Sequence, residues 1–260
     1  ASIAAIVIAA AAISPEAAII VGLAITIPAS IIGHQANLAQ ETNDGSMEWY
    51  PLSRLLFNLA LILSIAIVAV GYVMDYSSYA KLPELSEGIK EFLAQNPPPT
   101  PLTDEELAMV TESVFRLLPF MFSGIWLIVH IVNLQFAAII CRSSGILPRP
   151  KDDIPTTAGM PRIGLAVLAG SLAAVTVLDG SLQSIASVFA GTFLMAFAMV
   201  GLAATHNNAR RNPASFVFLI ITYVIIIFFF APLFLFAIGG VMRTISNSQN
   251  SPPSGGRNKT

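Results

Sequence analysis

The sequence predicts an all-α fold, a polytopic transmembrane helical bundle, and three observations carry that prediction. Of 260 residues, 55% are hydrophobic and 11% are charged, less than half the roughly 25% charged share of a soluble globular chain. Mean hydropathy is +0.74. The apolar residues gather into charge-free runs of 16 to 30 positions, too long and continuous for barrel strands. Only helices or closed barrels satisfy their backbone in lipid, so the runs read as helices. This composition excludes an ordinary soluble enzyme. Thirteen Lys and Arg against fifteen Asp and Glu leave a net charge of −2, and no basic stripe neutralises phosphates, which excludes nucleic acid as a partner. The partner that composition demands is the lipid bilayer.

About seven membrane segments are expected. The first, residues 1–13, covers about 20 Å against a hydrocarbon core of about 30 Å, so it reads as a helix cut short at its start. No basic stretch precedes it, which argues against a signal peptide. Residues 17–33 follow Ser14-Pro15-Glu16, where Pro15 suits a first helical turn. Residues 55–74 and 117–141 supply runs of 20 and 25; residues 163–178 and 180–205 supply 16 and 26, joined at Asp179-Gly180, which is ordinary turn chemistry. The last run, residues 213–242, has 30 positions and at about 45 Å overshoots the bilayer. Tilt and a kink at Pro232 absorb the excess, or a break near Ala231-Pro232 leaves a helix and a partial re-entrant piece.

Residues 1–245 thus form a transmembrane domain, with one sizeable loop at 75–113. Within that loop Leu82, Leu85, Ile89, Phe92 and Leu93 recur at helical spacing among charged residues, the pattern of an amphipathic helix. It is expected on the outer membrane–water boundary or capping the bundle. Pro97-Pro98-Pro99-Thr100-Pro101 stops it, and Thr103-Asp104-Glu105-Glu106 reads as a capping box that starts the next helix. Residues 246–260 are polar and rich in Pro, Gly and Ser, the composition of a disordered tail.

Orientation follows from Lys and Arg in the loops. One side holds Arg54, Arg142, Arg149, Lys151, Arg162, Arg210 and Arg211; the other holds Lys81, Lys90 and Arg116. The first side is expected to be cytoplasmic in a bacterial inner membrane. Simple alternation puts Arg243, Arg257 and Lys259 on the opposite side, whereas a re-entrant last segment returns them to the first, so the tail's side stays open.

Candidate contact residues fall into three groups. Glu48, Trp49, Tyr50 and Arg54 surround Pro51 at a helix start; Trp and Tyr favour the interface, and the stretch serves as an anchor or as a docking element. His130 and Asn133 lie inside a 25-residue run, three apart and so on one face. Polar groups at that depth face a bundle interior, either as interhelical hydrogen bonds or as the lining of a ligand pocket. Arg142 and His206 sit at basic helix ends, suited to orientation or anionic contacts. The lone Cys141 rules out an internal disulfide. Three separated histidines with no paired carboxylate argue against a metal site, and Asp152-Asp153, being adjacent, make a poor acid–base pair. No Walker loop, dinucleotide loop, HExxH or GxSxG motif occurs, so neither an enzyme nor a cofactor is expected.

Three of these stretches also carry a resemblance. Glu48-Trp49-Tyr50-Pro51-Leu52-Ser53-Arg54-Leu55-Leu56 opens a helix, and Asn133-Leu134-Gln135 runs on through Arg142-Ser143-Ser144-Gly145 to Arg149-Pro150. Gly201-Leu202-Ala203-Ala204-Thr205-His206 then closes a helix before Arg210-Arg211. In this order and spacing the chain resembles the alphaproteobacterial branch of the YybS-like membrane proteins, domain of unknown function family 2232. That family is distantly similar to the substrate-binding membrane subunits of energy-coupling-factor vitamin transporters. The resemblance implies a non-catalytic substrate-capturing subunit that needs an external energy-coupling partner. The alternative is an accessory or scaffold subunit docked on a larger membrane complex.

Overall fold

The structure is a computed structural model that describes residues 12, 14–75, 81–210, 213–229 and 231–249. Apart from Ala12, the expected first segment lies outside the described residues, as does the tail beyond Gln249. The described residues are helical except for one short hairpin and the loops between elements.

Helix α1, Pro15–Ala36, opens as expected at Pro15, with the Ser14 hydroxyl accepting from the Ala17 amide. Its middle, Val21–Thr26, is a π-helical turn just ahead of Pro28. Proline has no N–H to give the carbonyl four residues back and crowds it, so the Ala24 carbonyl is released from the helix. Strands β1, Ala39–Glu41, and β2, Met47–Trp49, then pair antiparallel with Ala39 opposite Trp49 and Glu41 opposite Met47. Sequence periodicity does not anticipate this hairpin, whose turn holds Gly45 at φ 80°.

Helix α2, Leu52–Val73, follows Pro51. The amphipathic α3, Leu82–Gln95, packs against α4, Asp104–Ser143, whose first turns bury Leu107 and Thr111. The capping box forms: the Thr103 amide donates to the Glu106 carboxylate at 2.8 Å and the Glu106 amide donates to the Thr103 hydroxyl at 3.3 Å. A short α5, Ile154–Thr157, precedes α6, Arg162–Val177, and α7, Gly180–Ala209. The turn between α6 and α7 uses Gly180 at φ 64°.

The 213–242 run divides into α8, Pro213–Phe228, and α9, Ala231–Gln249. This corrects the single kinked helix. Pro232 cannot donate to the Phe228 carbonyl, and α8 ends at that residue. Helix α9 also extends to Gln249, past the expected start of the tail at 246.

Among the described residues four helices, α1, α2, α4 and α7, are long and apolar enough to cross a membrane. The structure thus supports an all-α, membrane-compatible fold without reaching seven such spans: α6 and α8 have 16 residues each, and α9 has 19. Sixteen helical residues reach about 24 Å, short of the hydrocarbon thickness.

Helix α7 is the axis, packed by α2, α4, α6, α8 and α9. Phe193, Phe197 and Val200 are fully enclosed, which fits a helix apolar on every side. Glycines set the close crossings. A Cβ on Gly191 would collide with the Phe120 carbonyl, and one on Gly201 or Gly240 with the carbonyls of Phe236 and Phe197. Exposed Phe216, Val217, Ile220, Ile221 and Val224 on α8 form an apolar outer surface, which is compatible with lipid contact.

Candidate functional site

At the basic end the chain is tied by arginines. Arg149, 6% exposed, forks onto Asp152 at 2.8 and 2.9 Å and donates to the carbonyls of Ala36 and Tyr50, both at 3.0 Å. One guanidinium thus joins the end of α1, the exit of the hairpin and the linker before α5, the planar geometry that suits Arg. Arg210 pairs with Asp153 at 2.6 Å, and Arg243 donates to the carbonyls of Pro155 and Thr156 at 2.8 to 3.2 Å. The second half of α9 therefore returns to the end that carries Arg149 and Arg210. Asp152 and Asp153 face different arginines, as adjacent positions require. The Asp153 carboxyl is held below the ordinary range by the Thr156 hydroxyl and then by Arg210.

The residues singled out in the sequence separate here. Glu48 is exposed on β2 and Trp49 half-buried beside it. Tyr50 is the integrated member: its hydroxyl accepts from Asn58 at 3.1 Å, its amide donates to the Leu38 carbonyl and its own carbonyl serves Arg149. Arg54 is exposed on the first turn of α2. Arg142 ends α4 with its Nε buried and unpaired. His206 Nδ1 lies 3.0 Å from the Leu202 carbonyl and Nε2 3.1 Å from the Tyr223 hydroxyl, with the rings 5.6 Å apart, so it links α7 to α8.

His130 and Asn133, expected on one lining face, part company. His130 is 6% exposed, whereas Asn133 is exposed on the outside of α4. The neighbour that matters to His130 is Trp126. The His130 Nδ1 stands 3.0 Å from the Trp126 carbonyl, and the Trp126 indole N–H donates to the Ala24 carbonyl at 3.0 Å. A carbonyl only accepts, so Nδ1 carries the proton and Nε2 of the neutral ring is a lone pair. That Nε2 is buried and has no hydrogen-bond partner. Phe122, Trp126 and His130 form an aromatic ladder at every fourth position of α4, with centroids 5.5 and 5.6 Å apart.

The sequence names Arg149 and Asp152 without their pairing, and nothing in it singles out Trp126 or Ala24. Only Pro28 inside an apolar run signalled a freed carbonyl, and nothing local signalled its acceptor role toward α4. Among the described residues no group of three His, Cys, Asp or Glu could hold a metal ion. An open groove of about 390 Å³ runs between α6 and α7, lined by Gly170, Ala174, Leu178, Leu182, Ala186 and Phe189 among others. Comparison with protein-family models, curated proteins and solved structures finds no match to this chain.

Proposed function

We propose that this chain is a non-catalytic, multi-pass protein of a bacterial inner membrane that captures a small molecule among its helices. Transport is then driven by a separate energy-coupling module, since the sequence carries no nucleotide motif. One observation carries the reading: His130 keeps a buried imidazole acceptor unpaired in the middle of a membrane-length helix. A polar group left so costs about 1–3 kcal/mol, and intramembrane ionisable side chains mark substrate paths. The resemblance to the YybS-like proteins supports the same class, and the cluster of Arg142, Arg149 and Arg210 favours a cytoplasmic basic end.

The test is native mass spectrometry of the full-length protein, gently extracted from its own membrane. A small-molecule adduct on the monomer is the expected result. A monomer without one would overturn capture.

The open α6–α7 groove favours a second reading, an accessory subunit that receives a partner's transmembrane helix along Gly170 and Ala174. Under that reading the same spectrum carries the mass of another polypeptide, and Gly170→Leu removes it.

A further inference from the structure

The chemistry around His130 restricts what the captured molecule can be, an inference that rests on the capture reading above. We propose that the ligand is a neutral, planar molecule presenting an N–H or O–H donor to His130 Nε2. It enters between α1 and α4 when the Trp126 indole leaves the Ala24 carbonyl.

The donor requirement comes from the groups present. His130 Nε2 offers a lone pair because Nδ1 already gives its proton to the Trp126 carbonyl. The Ala24 carbonyl is an acceptor that Pro28 cannot serve. Thr26 spends its hydroxyl hydrogen on the Gly22 carbonyl at 3.0 Å. Both available positions accept, so the molecule that fills them must donate.

Neutrality follows from what surrounds them. Residues 17–33 of α1, 55–74 of α2 and 180–205 of α7 contain no Asp, Glu, Lys or Arg. A cation placed there would lose its hydration with no counter-charge to offset the loss.

Planarity follows from the ladder. Phe122 and Trp126 lie nearly parallel, 16° apart, and Trp126 meets His130 edge-on at 61°. Phe122 is 48% exposed, Trp126 half-buried and His130 enclosed, so aromatic faces lead from the surface of α4 to the acceptor. Aromatic rings prefer offset-stacked and edge-to-face neighbours.

The latch is also local. Ala24 lies in the π-helical turn, where Pro28 has no N–H for its carbonyl, and such turns recur at functional sites. One indole hydrogen bond closes it. Losing that bond costs α1 no backbone hydrogen bond, so the seam opens without unwinding the helix.

The test uses the full-length protein in lipid nanodiscs with ¹⁵N-labelled histidine. The probes are pyrazole and benzimidazole, each beside its N-methyl form, which has the same plane and no donor. The His130 Nε2 resonance is assigned by its loss in His130→Phe and, should that variant misfold, in His130→Gln. The expected result is a shift with the N–H probes and none with the N-methyl forms, accompanied by movement of the Trp126 indole N–H signal. Equal shifts from both forms, or no shift from either N–H probe, overturn the proposal. Native mass spectrometry separates this failure from that of capture. An adduct that survives both His130→Phe and Trp126→Phe keeps capture and removes this site. N–H probes that titrate Nε2 on a chain free of any native adduct keep the site and remove capture.

Discussion

The indole of Trp126 donates to the carbonyl of Ala24, 102 positions earlier in the chain, across 3.0 Å. Pro28 is why that carbonyl is available, because it removes the N–H that a regular helix would send there.

Trp126→Phe should therefore lower stability by about 1–2 kcal/mol, the scale of an interhelical hydrogen bond and an orphaned carbonyl. Pro28→Ala, by restoring the N–H, should make the same Trp126 change cheaper. Reversible unfolding in mixed micelles of the two single variants and the double variant measures the coupling. Strict additivity would show that Pro28 plays no part in freeing Ala24.

The glycines of the α7 crossings should not behave alike under substitution. Gly201→Ala and Gly240→Ala place a methyl against a neighbouring backbone carbonyl, which cannot rotate away, and each should cost about 3 kcal/mol. Gly170→Ala meets open space and should be neutral or stabilise by up to about 1 kcal/mol through helix propensity. Thermal unfolding of the three variants checks the ranking, and similar losses at Gly170 and Gly201 would contradict the close crossing.

Arg149→Ala should be the most damaging change at the basic end. It leaves Asp152 and the carbonyls of Ala36 and Tyr50 without their donor, and breaking a buried pair costs about 3–5 kcal/mol. Arg149→Lys keeps the charge but not the fork, so its loss should be intermediate. Protease sensitivity of the 149–161 linker reports the release; equal resistance in all three proteins would deny the staple.

The hairpin turn carries a titration signature. Asp44 is held at about 2, first by the Thr42 hydroxyl and then by the Ser46 hydroxyl and amide. The folded carboxyl is more acidic than its ordinary 3.8, so its contribution to the turn is complete above that value and is lost as pH falls through about 2. A carboxyl ¹³C titration should place the midpoint there, and Thr42→Val should move it upward. An unmoved midpoint would remove Thr42 as the main cause.

Much of the fold was legible because it rests on local chemistry. Pro15 after Ser14, the Thr103 to Glu106 box, the Asp179-Gly180 turn and the stripe of Leu82, Leu85 and Ile89 each express a preference within a few residues, and each element forms where it was read. The 213–242 run shows the limit of such reading. Both outcomes at Pro232 satisfy local rules, and Arg243 distinguishes them by reaching Pro155 and Thr156, 88 and 87 positions away. The hairpin escaped because β1 and β2 have three residues each, too few for a period of two to stand out. Asn133 was placed beside His130 on helical spacing alone. A residue three away lies about 60° around the helix, enough to pass from the buried face to the exposed one.

The amino-acid sequence by itself determined that the helices are apolar enough to suit a membrane, and where the main ones lie. Hydropathy and backbone hydrogen bonding are properties of contiguous residues, and lipid forces a contiguous apolar run to satisfy its own amides. Tertiary structure alone decided that α7 is the axis, that Arg149 closes the basic end, and that the Trp126 indole meets the Ala24 carbonyl. Each of those facts joins groups far apart in the chain. Which acceptor meets which donor depends on how helices rotate and cross, and glycines such as Gly191 and Gly201 set that approach only once a second backbone lies against them.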